Sequence, residues 1–252
     1  MLQNTFLFLD GIRHGREKAL WNQGIKDWND FLSKDLKGIS SAKKERHDAQ
    51  IMGAKKAMAD FNSSYFSQKL PKSETWRLFK DFKDEACFLD IETSGYYSDV
   101  TVIGVSDGFE TKTFVKGINL NRNKVIEEIE KYKLVLTFNG GSFDLPVIKK
   151  YFGYYPGIPH IDLRHVCSKI GLNGGLKSIE QQLGIKRDAE VKTITGSDAV
   201  IFWELWKRTR EKKYLELLVQ YNREDCENLR PLSNFAIAEL WKRTFNFSPI
   251  IH

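Results

Sequence analysis

Residues 86–91, Ala-Cys-Phe-Leu-Asp-Ile, are apolar at every position but one, and charged residues precede them. Such a run reads as a strand buried in the middle of a sheet. Asp90 falls inside it, and Glu92 follows two positions later. Side chains two apart on a strand share a face, about 7 Å from each other. Two carboxylates so placed repel each other and resist desolvation. The pattern suits a strand that ends in solvent, or one whose end holds a hard cation. Mg²⁺ and Mn²⁺ take oxygen ligands of this kind.

The surrounding residues predict the rest of a sheet. Val100–Ser106 and Thr111–Val115 read as strands, with turn signals at Ser94-Gly95 and Asp107-Gly108, which implies an antiparallel meander. A helix at Arg122–Tyr132, an apolar strand at Leu134–Phe138, a helix from Ser142 to Tyr151 and a strand at Ile158–Leu163 follow. That alternation implies parallel strands joined by crossovers. Helices are expected at Leu176–Leu183, Asp198–Lys207 and Lys212–Glu239, with Pro231 kinking or dividing the last. Residues 186–196 show no period and read as a loop. The expected class is α/β: a mixed sheet of three antiparallel strands and then parallel ones, flanked by helices.

The first third has a different texture. The formal net charge is +6, and residues 1–83 carry all of it, with 16 Lys+Arg against 10 Asp+Glu, while residues 84–252 hold 23 of each. A basic segment beside a neutral one suggests a polyanionic partner, although a solvated basic surface has the same count. Two short helices are expected, at Arg16–Gln23 and around Trp28–Leu32, with a turn at Gly11–Gly15. The stretch resembles a helix-hairpin-helix, a motif whose hairpin amides contact phosphate, with Arg13 where a second hairpin glycine is usual. A longer helix at Ala42–Tyr65 carries an apolar stripe of Ile51, Ala54, Met58, Phe61 and Tyr65. Leu70-Pro71-Lys72-Ser73 starts a linker, with Trp76, Leu78, Phe79 and Phe82 expected to pin it to the next domain. The expected division is a small helical, basic domain at 1–72 and a larger domain at 73–252. Arg13, Arg16, Lys43 and Lys44 are the candidate nucleic-acid contacts of the first.

Cys87, Cys167 and Cys226 have neither metal spacing nor a disulfide framework, so a reducing, cytoplasmic setting is expected. No apolar run is long enough to span a bilayer, and the first ten residues lack the basic start and cleavage site of a signal peptide. No membrane partner is expected.

Three further stretches carry chemistry. Phe138-Asn139-Gly140-Gly141-Ser142-Phe143-Asp144 leaves a buried strand and opens a helix, a place where α/β sheets build sites. Asp144 there is either a helix-terminus charge or a ligand. Tyr221 and Asp225 are four apart on a helix and continue a stripe with Tyr214 and Leu218, so Asp225 points inward and needs a cation. No residue of that stripe supplies one, which favours a metal over an ion pair. His160 and Asp162 alternate on a strand and read as structural hydrogen-bonders.

Together, Asp90-Ile91-Glu92-Thr93, Asn139-x-x-x-Phe143-Asp144 and Tyr221-x-x-x-Asp225 resemble the three exonuclease motifs of the DEDD superfamily, the tyrosine marking its DEDDy branch. Similar motifs occur in the proofreading domains of family B DNA polymerases. The layout, including Trp76-Arg77-Leu78 and Gly174-Gly175-Leu176-Lys177, is most similar to stand-alone YprB-like proteins of ribonuclease H-like fold. The resemblance covers about residues 74–232. It implies a 3′–5′ exonuclease acting on nucleic acid, single-stranded DNA 3′ ends first among them, and releasing nucleoside 5′-monophosphates. It implies that Asp90, Glu92, Asp144 and Asp225 hold two Mg²⁺ or Mn²⁺ ions and that Tyr221 orients the attacking water. Thr93, Asn139 and Phe143 become candidate contacts to the terminal nucleotide. A ribonuclease H-like endonuclease or ribonuclease, or a non-catalytic nucleic-acid-binding protein, are the alternatives.

Overall fold

The computed structural model describes residues 1–95 and 99–245. The chain divides into two compact units, residues 1–83 with 241–252, and residues 84–240.

In the second unit, five strands form one sheet: β1 (Ala86–Thr93), β2 (Val100–Ser106), β3 (Thr111–Val115), β4 (Leu134–Thr137) and β5 (His160–Asp162). Their order is β3-β2-β1-β4-β5. The β1–β2 and β2–β3 pairs are antiparallel, and β1–β4 and β4–β5 are parallel. The mixed sheet is therefore the expected one, with β1 at its centre. β1 extends beyond Ile91 to Thr93, and its register with β2 shifts between Glu92 and Thr93.

The helices are α1 (His14–Asn22), α2 (Trp28–Ser33), α3 (Ser41–Ala59), α4 (Ser64–Ser67), α5 (Phe79–Phe82), α6 (Arg122–Ile129), α7 (Asp144–Phe152), α8 (Leu163–Lys169), α9 (Leu176–Leu183), α10 (Gly196–Thr209), α11 (Lys212–Glu227) and α12 (Leu229–Phe245). Their ends follow local chemistry. Asn121 caps α6 by accepting from the backbone of Asn123 and Lys124, and Thr195 and Asp198 form a capping box on α10. On one face of the sheet, Leu89, Ile91, Ile103 and Val135 pack with Val125 and Ile129 of α6 and Val147 and Ile148 of α7. On the other, Val102 and Val115 pack with Trp203 of α10 and Leu218 and Tyr221 of α11. The loop after α9 joins that second core through Val191 and Ile194. Its lack of period reflects this: it is held by single inserted side chains, not by a repeating face.

Several expected elements differ. The helix expected over 212–239 is two, with Asn228 between α11 and α12 and Pro231 in the first turn of α12, where its missing N–H does no harm. A short helix, α8, follows β5 directly because Asp162 caps it through the Arg164 amide.

In the first unit, the helix expected to reach Tyr65 ends at Ala59. Phe61 takes a positive φ of 50° and is exposed, so the chain turns where the stripe was expected to continue. Of the turn expected over Gly11–Gly15, His14 and Gly15 already belong to α1, and Arg13 is its N-cap. Trp28 and Phe66 stack, with Phe6, Phe8 and Phe31 around them. The first unit also runs beyond residue 72, to Lys83. Trp76, Leu78, Phe79 and Phe82, expected to pin a linker to the following domain, belong instead to the first unit, as does Arg77. Arg77 is fully buried and bonds Glu17 at 2.9 Å, Thr5 at 2.6 Å and Glu74 at 2.8 Å. Trp76 packs on Trp241 at 6.1 Å between ring centroids.

Candidate active site

The side-chain alternation of β1 sends Leu89 and Ile91 to the α6–α7 face and Asp90 and Glu92 to the other, as the spacing of two requires. α11 lies over that other face. Its four-residue step places Tyr221 and Asp225 together, both buried. Ligand oxygens of Asp90, Glu92 and Asp225 all fall within 4.8 Å of one another. Asp144, at the start of α7, is buried too, and its Oδ1 accepts from the Ile91 amide at 3.1 Å. It is not among the three whose oxygens meet within that distance. The backbone bond ties it to β1, beside the cluster.

The site's electrostatics are those of crowded carboxylates. Burial first, and then the charges of Asp225, Asp144 and Glu92, hold the Asp90 carboxyl well above the usual range. Glu92 is raised by burial and by Asp225 and Asp144. Asp144 is pushed up to about 7, chiefly by burial. Burial also raises the Tyr221 phenol, and Asp225, Glu92 and Asp90 raise it further, so its proton is firmly held.

Asp225 does have a cation, contrary to the expectation from its helix stripe. Arg187, on the loop after α9, forms an ion pair with it. The same guanidinium bonds Glu180 at 2.5 and 2.7 Å. All three side chains are at least nine-tenths buried. The pairing was hidden because a loop without periodicity supplies it. A signal existed on the other side: Glu180 sits on the apolar stripe of α9 beside Ile179, where an acid requires a partner.

Asn222 is a second residue the motifs did not single out. It is fully buried, and its amide donates to the Asp90 backbone oxygen at 3.1 Å and to Asp90 Oδ2 at 2.8 Å. Gly104 lies opposite Asp90 on β2, and a Cβ there would come within 2.5 Å of Asn222 Oδ1 and 2.6 Å of Cys226 Sγ. A side chain at residue 104 would therefore displace the amide that holds Asp90.

The remaining candidates fall as follows. Thr93 ends β1 and is buried. Asn139 takes a positive φ of 68°, which the loop sustains through bonds to its amide, carbonyl and side-chain oxygen. Its amide donates to Asp162 at 2.8 Å, and its Oδ1 accepts from Arg164 at 2.8 Å and Ser142 at 2.9 Å. Asp162 also accepts from the Gly141 and Arg164 amides, so it organises the loop. His160 bonds Thr137 at 2.8 Å, and burial lowers its pKa to about 4. Phe143 packs against the α6–α7 core. In the first unit, Arg16 donates to the Gly38 carbonyl at 2.6 Å and Lys44 pairs with Asp48, while Arg13 and Lys43 are exposed.

The cluster thus gathers Asp90, Glu92, Asp144 and Asp225, and Arg187, bonded to Asp225, is shared with Glu180. All its donors are hard oxygens, which fits Mg²⁺ or Mn²⁺. A mixed sheet whose central strand ends in such a cluster is the frame of a ribonuclease H-like fold. Residues 87–237 match the profile of the RNase_H superfamily, and the chain belongs to that family. A similar solved structure is the crystal structure of Escherichia coli RNase D, an exoribonuclease involved in structured RNA processing. It is 18% identical, with a TM-score of 0.45, over 70% of this chain and 49% of that one, so the likeness spans about half its length. No curated protein matches the chain significantly. No helix among the described residues is long and apolar enough to cross a membrane.

Proposed function

We propose that the chain is a metal-dependent 3′–5′ exonuclease of the DEDDy type, similar to stand-alone YprB-like proteins. It hydrolyses nucleic acid, single-stranded DNA 3′ ends foremost, to nucleoside 5′-monophosphates. The observation that carries this reading is the convergence of Asp90, Glu92 and Asp225 within 4.8 Å, with the Tyr221 phenol on the same helix face. Asp90, Glu92, Asp144 and Asp225 would hold two Mg²⁺ or Mn²⁺ ions, which when bound supply an activated water and stabilise the charge on the departing 3′-oxygen. Asn222 fixes the Asp90 carboxylate, and the Ile91 amide fixes that of Asp144. Tyr221 keeps its proton on its hydroxyl oxygen, where it is hydrogen-bonded to Asp225, and would orient the nucleophile without acting as a base. Thr93, Asn139 and Phe143 would contact the terminal nucleotide, and Arg13 and Lys43, the exposed pair among Arg13, Arg16, Lys43 and Lys44, would contact phosphate from the basic first domain.

The test is digestion of end-labelled single-stranded, duplex, circular and RNA substrates with Mg²⁺ or Mn²⁺. The reading expects stepwise loss of nucleotides from free 3′ ends, none from circles, and none in EDTA. Tyr221→Phe should slow cleavage while leaving Mn²⁺ affinity near normal. Cutting of circular substrate would replace the exonuclease with an endonuclease, and full activity in EDTA would remove the metal.

A further inference from the structure

Beside the acid cluster, on the same unit, lies a cavity of about 420 Å³ between α9 and the loop that follows it. Lys177, Lys186, Arg187 and Lys192 line it, with Glu180 and Gln181. Arg187 is paired with Glu180 and with Asp225, so Lys177, Lys186 and Lys192 carry the excess positive charge of the lining. We propose that this cavity binds the phosphodiester backbone of the nucleic-acid strand, on the side away from the bond that is cut. The proposal rests on the nuclease reading of the neighbouring acids.

Three features specify the ligand. The first is sign: a cavity this basic attracts a polyanion and repels a cation. The second is composition. No lining residue is aromatic. Single-stranded nucleic acid is held by stacking where aromatics are present and by backbone charge where they are absent. This cavity therefore reads phosphate, not sequence. The third is preorganisation. Lys177 donates to the Val191 carbonyl at 3.1 Å, the Asp188 amide donates to Glu224 at 3.2 Å, and Val191 and Ile194 are buried in the core. The loop is thus fixed in place, so Lys186 and Lys192 are presented without a large ordering cost.

Arg187 connects this cavity to the acids. Its guanidinium lines the cavity while bonding Asp225 on its other side, and its Nη1 has no hydrogen-bond partner. Lys177 and Arg187 both lie over the Tyr221 ring, at 4.8 and 5.9 Å from its centroid. A strand whose phosphates sit in the cavity would therefore reach the carboxylates past Tyr221.

The test is the Lys186→Gln/Lys192→Gln double variant. Both residues are exposed and neither is assigned to the acid site. Binding of a fluorescent single-stranded oligonucleotide is measured in EDTA, where no hydrolysis confuses the reading, across about 50 to 200 mM salt. Loss of two phosphate contacts on a single strand should lower the salt slope by about 1.4. If the two proteins converge near 1 M salt, Kd rises roughly 25-fold at about 0.1 M. The loss should be the same for oligonucleotides of unrelated sequence, and Lys186→Arg/Lys192→Arg should restore the slope. Hydrolysis of bis(p-nitrophenyl) phosphate with Mn²⁺, a diester with no neighbouring phosphate, is followed in parallel and should not change.

A normal slope in the glutamine variant, or no salt-dependent binding by the unsubstituted protein, overturns the proposal. A loss confined to one oligonucleotide sequence overturns it too. Failure of the unsubstituted protein to hydrolyse any diester, together with the expected loss of slope, would sink the nuclease reading while supporting the cavity as a phosphate site.

Discussion

Replacing Arg187 with Met removes the one guanidinium shared by Glu180 and Asp225. Its side chain is 4% exposed, that of Glu180 2% and that of Asp225 10%, so solvent does little to compensate either acid. Breaking a buried ion pair by deleting one partner destabilises a protein by about 3–5 kcal/mol. In a protein of this size 1 kcal/mol moves Tm by about 2–4 °C. The expected fall is therefore roughly 6–20 °C, measured by circular dichroism in EDTA. Two further measurements separate the shares of the two acids. Adding Glu180→Gln to the variant removes one of the orphaned charges and should recover part of the loss. Excess Mg²⁺ should raise Tm more in Arg187→Met than in the unsubstituted protein, because Asp225 then competes for the metal without its resident cation. A fall of less than about 2 °C in Arg187→Met, insensitive to both treatments, would refute the argument that Arg187 neutralises this corner of the site.

Other consequences are equally accessible. Gly104→Ala should cost about 1–3 kcal/mol of stability by overpacking against Asn222 and Cys226, and should weaken Mn²⁺ binding about tenfold because Asn222 orients Asp90; unchanged affinity by titration would show that Asn222 is packing alone. The metal-free protein should lose stability as pH rises from about 4 to about 7, since Asp144 keeps its proton to about 7 when folded but only to about 3.8 when unfolded, so the folded state binds more protons in that window. Asp144→Asn should flatten the urea midpoint across the same range, and an unaltered profile would contradict it. Asp162→Ala should raise hydrogen exchange at the Asn139 and Gly141 amides, which lose their acceptor, and protection equal to that of the unsubstituted protein would show that the loop holds its shape without it.

The legible parts of the molecule were those governed by short periods. A spacing of two on a buried strand put Asp90 and Glu92 on one face, and a spacing of four on α11 put Tyr221 with Asp225. The mixed sheet followed from the contrast between tight turns before β3 and helical crossovers after it. The parts that escaped depend on distant partners. Arg187 meets Asp225 from a loop whose fixed shape comes from Val191 and Ile194 inserting into the core, and no local pattern encodes that. Asn222 looks like an ordinary polar residue until Gly104, remote in sequence, is seen to leave room for it. The early end of α3 turns on a single backbone reversal at Phe61, where apolar spacing pointed to continuation. Trp76 was expected to pin a linker to the following domain, but its partner Trp241 belongs to the first unit, and Arg77, which the pattern did not single out as an anchor, meets Glu17 sixty residues earlier.

Cys87, Cys167 and Cys226 are all free and buried, and burial pushes each thiol upward, Cys167 to about 12. None will react with a thiol reagent at neutral pH until its surroundings open. Cys226 is the neighbour of Asp225 on α11, with its sulfur against Gly104 of the sheet, whereas Cys87 lies within β1 beneath the opposite core. The chain thus carries its own pair of clocks. Labelling of Cys87 times the opening of the whole sheet, and labelling of Cys226 times the lifting of α11 from it. Any interval between them is the lifetime of a state in which the carboxylate site has come apart while the fold has not.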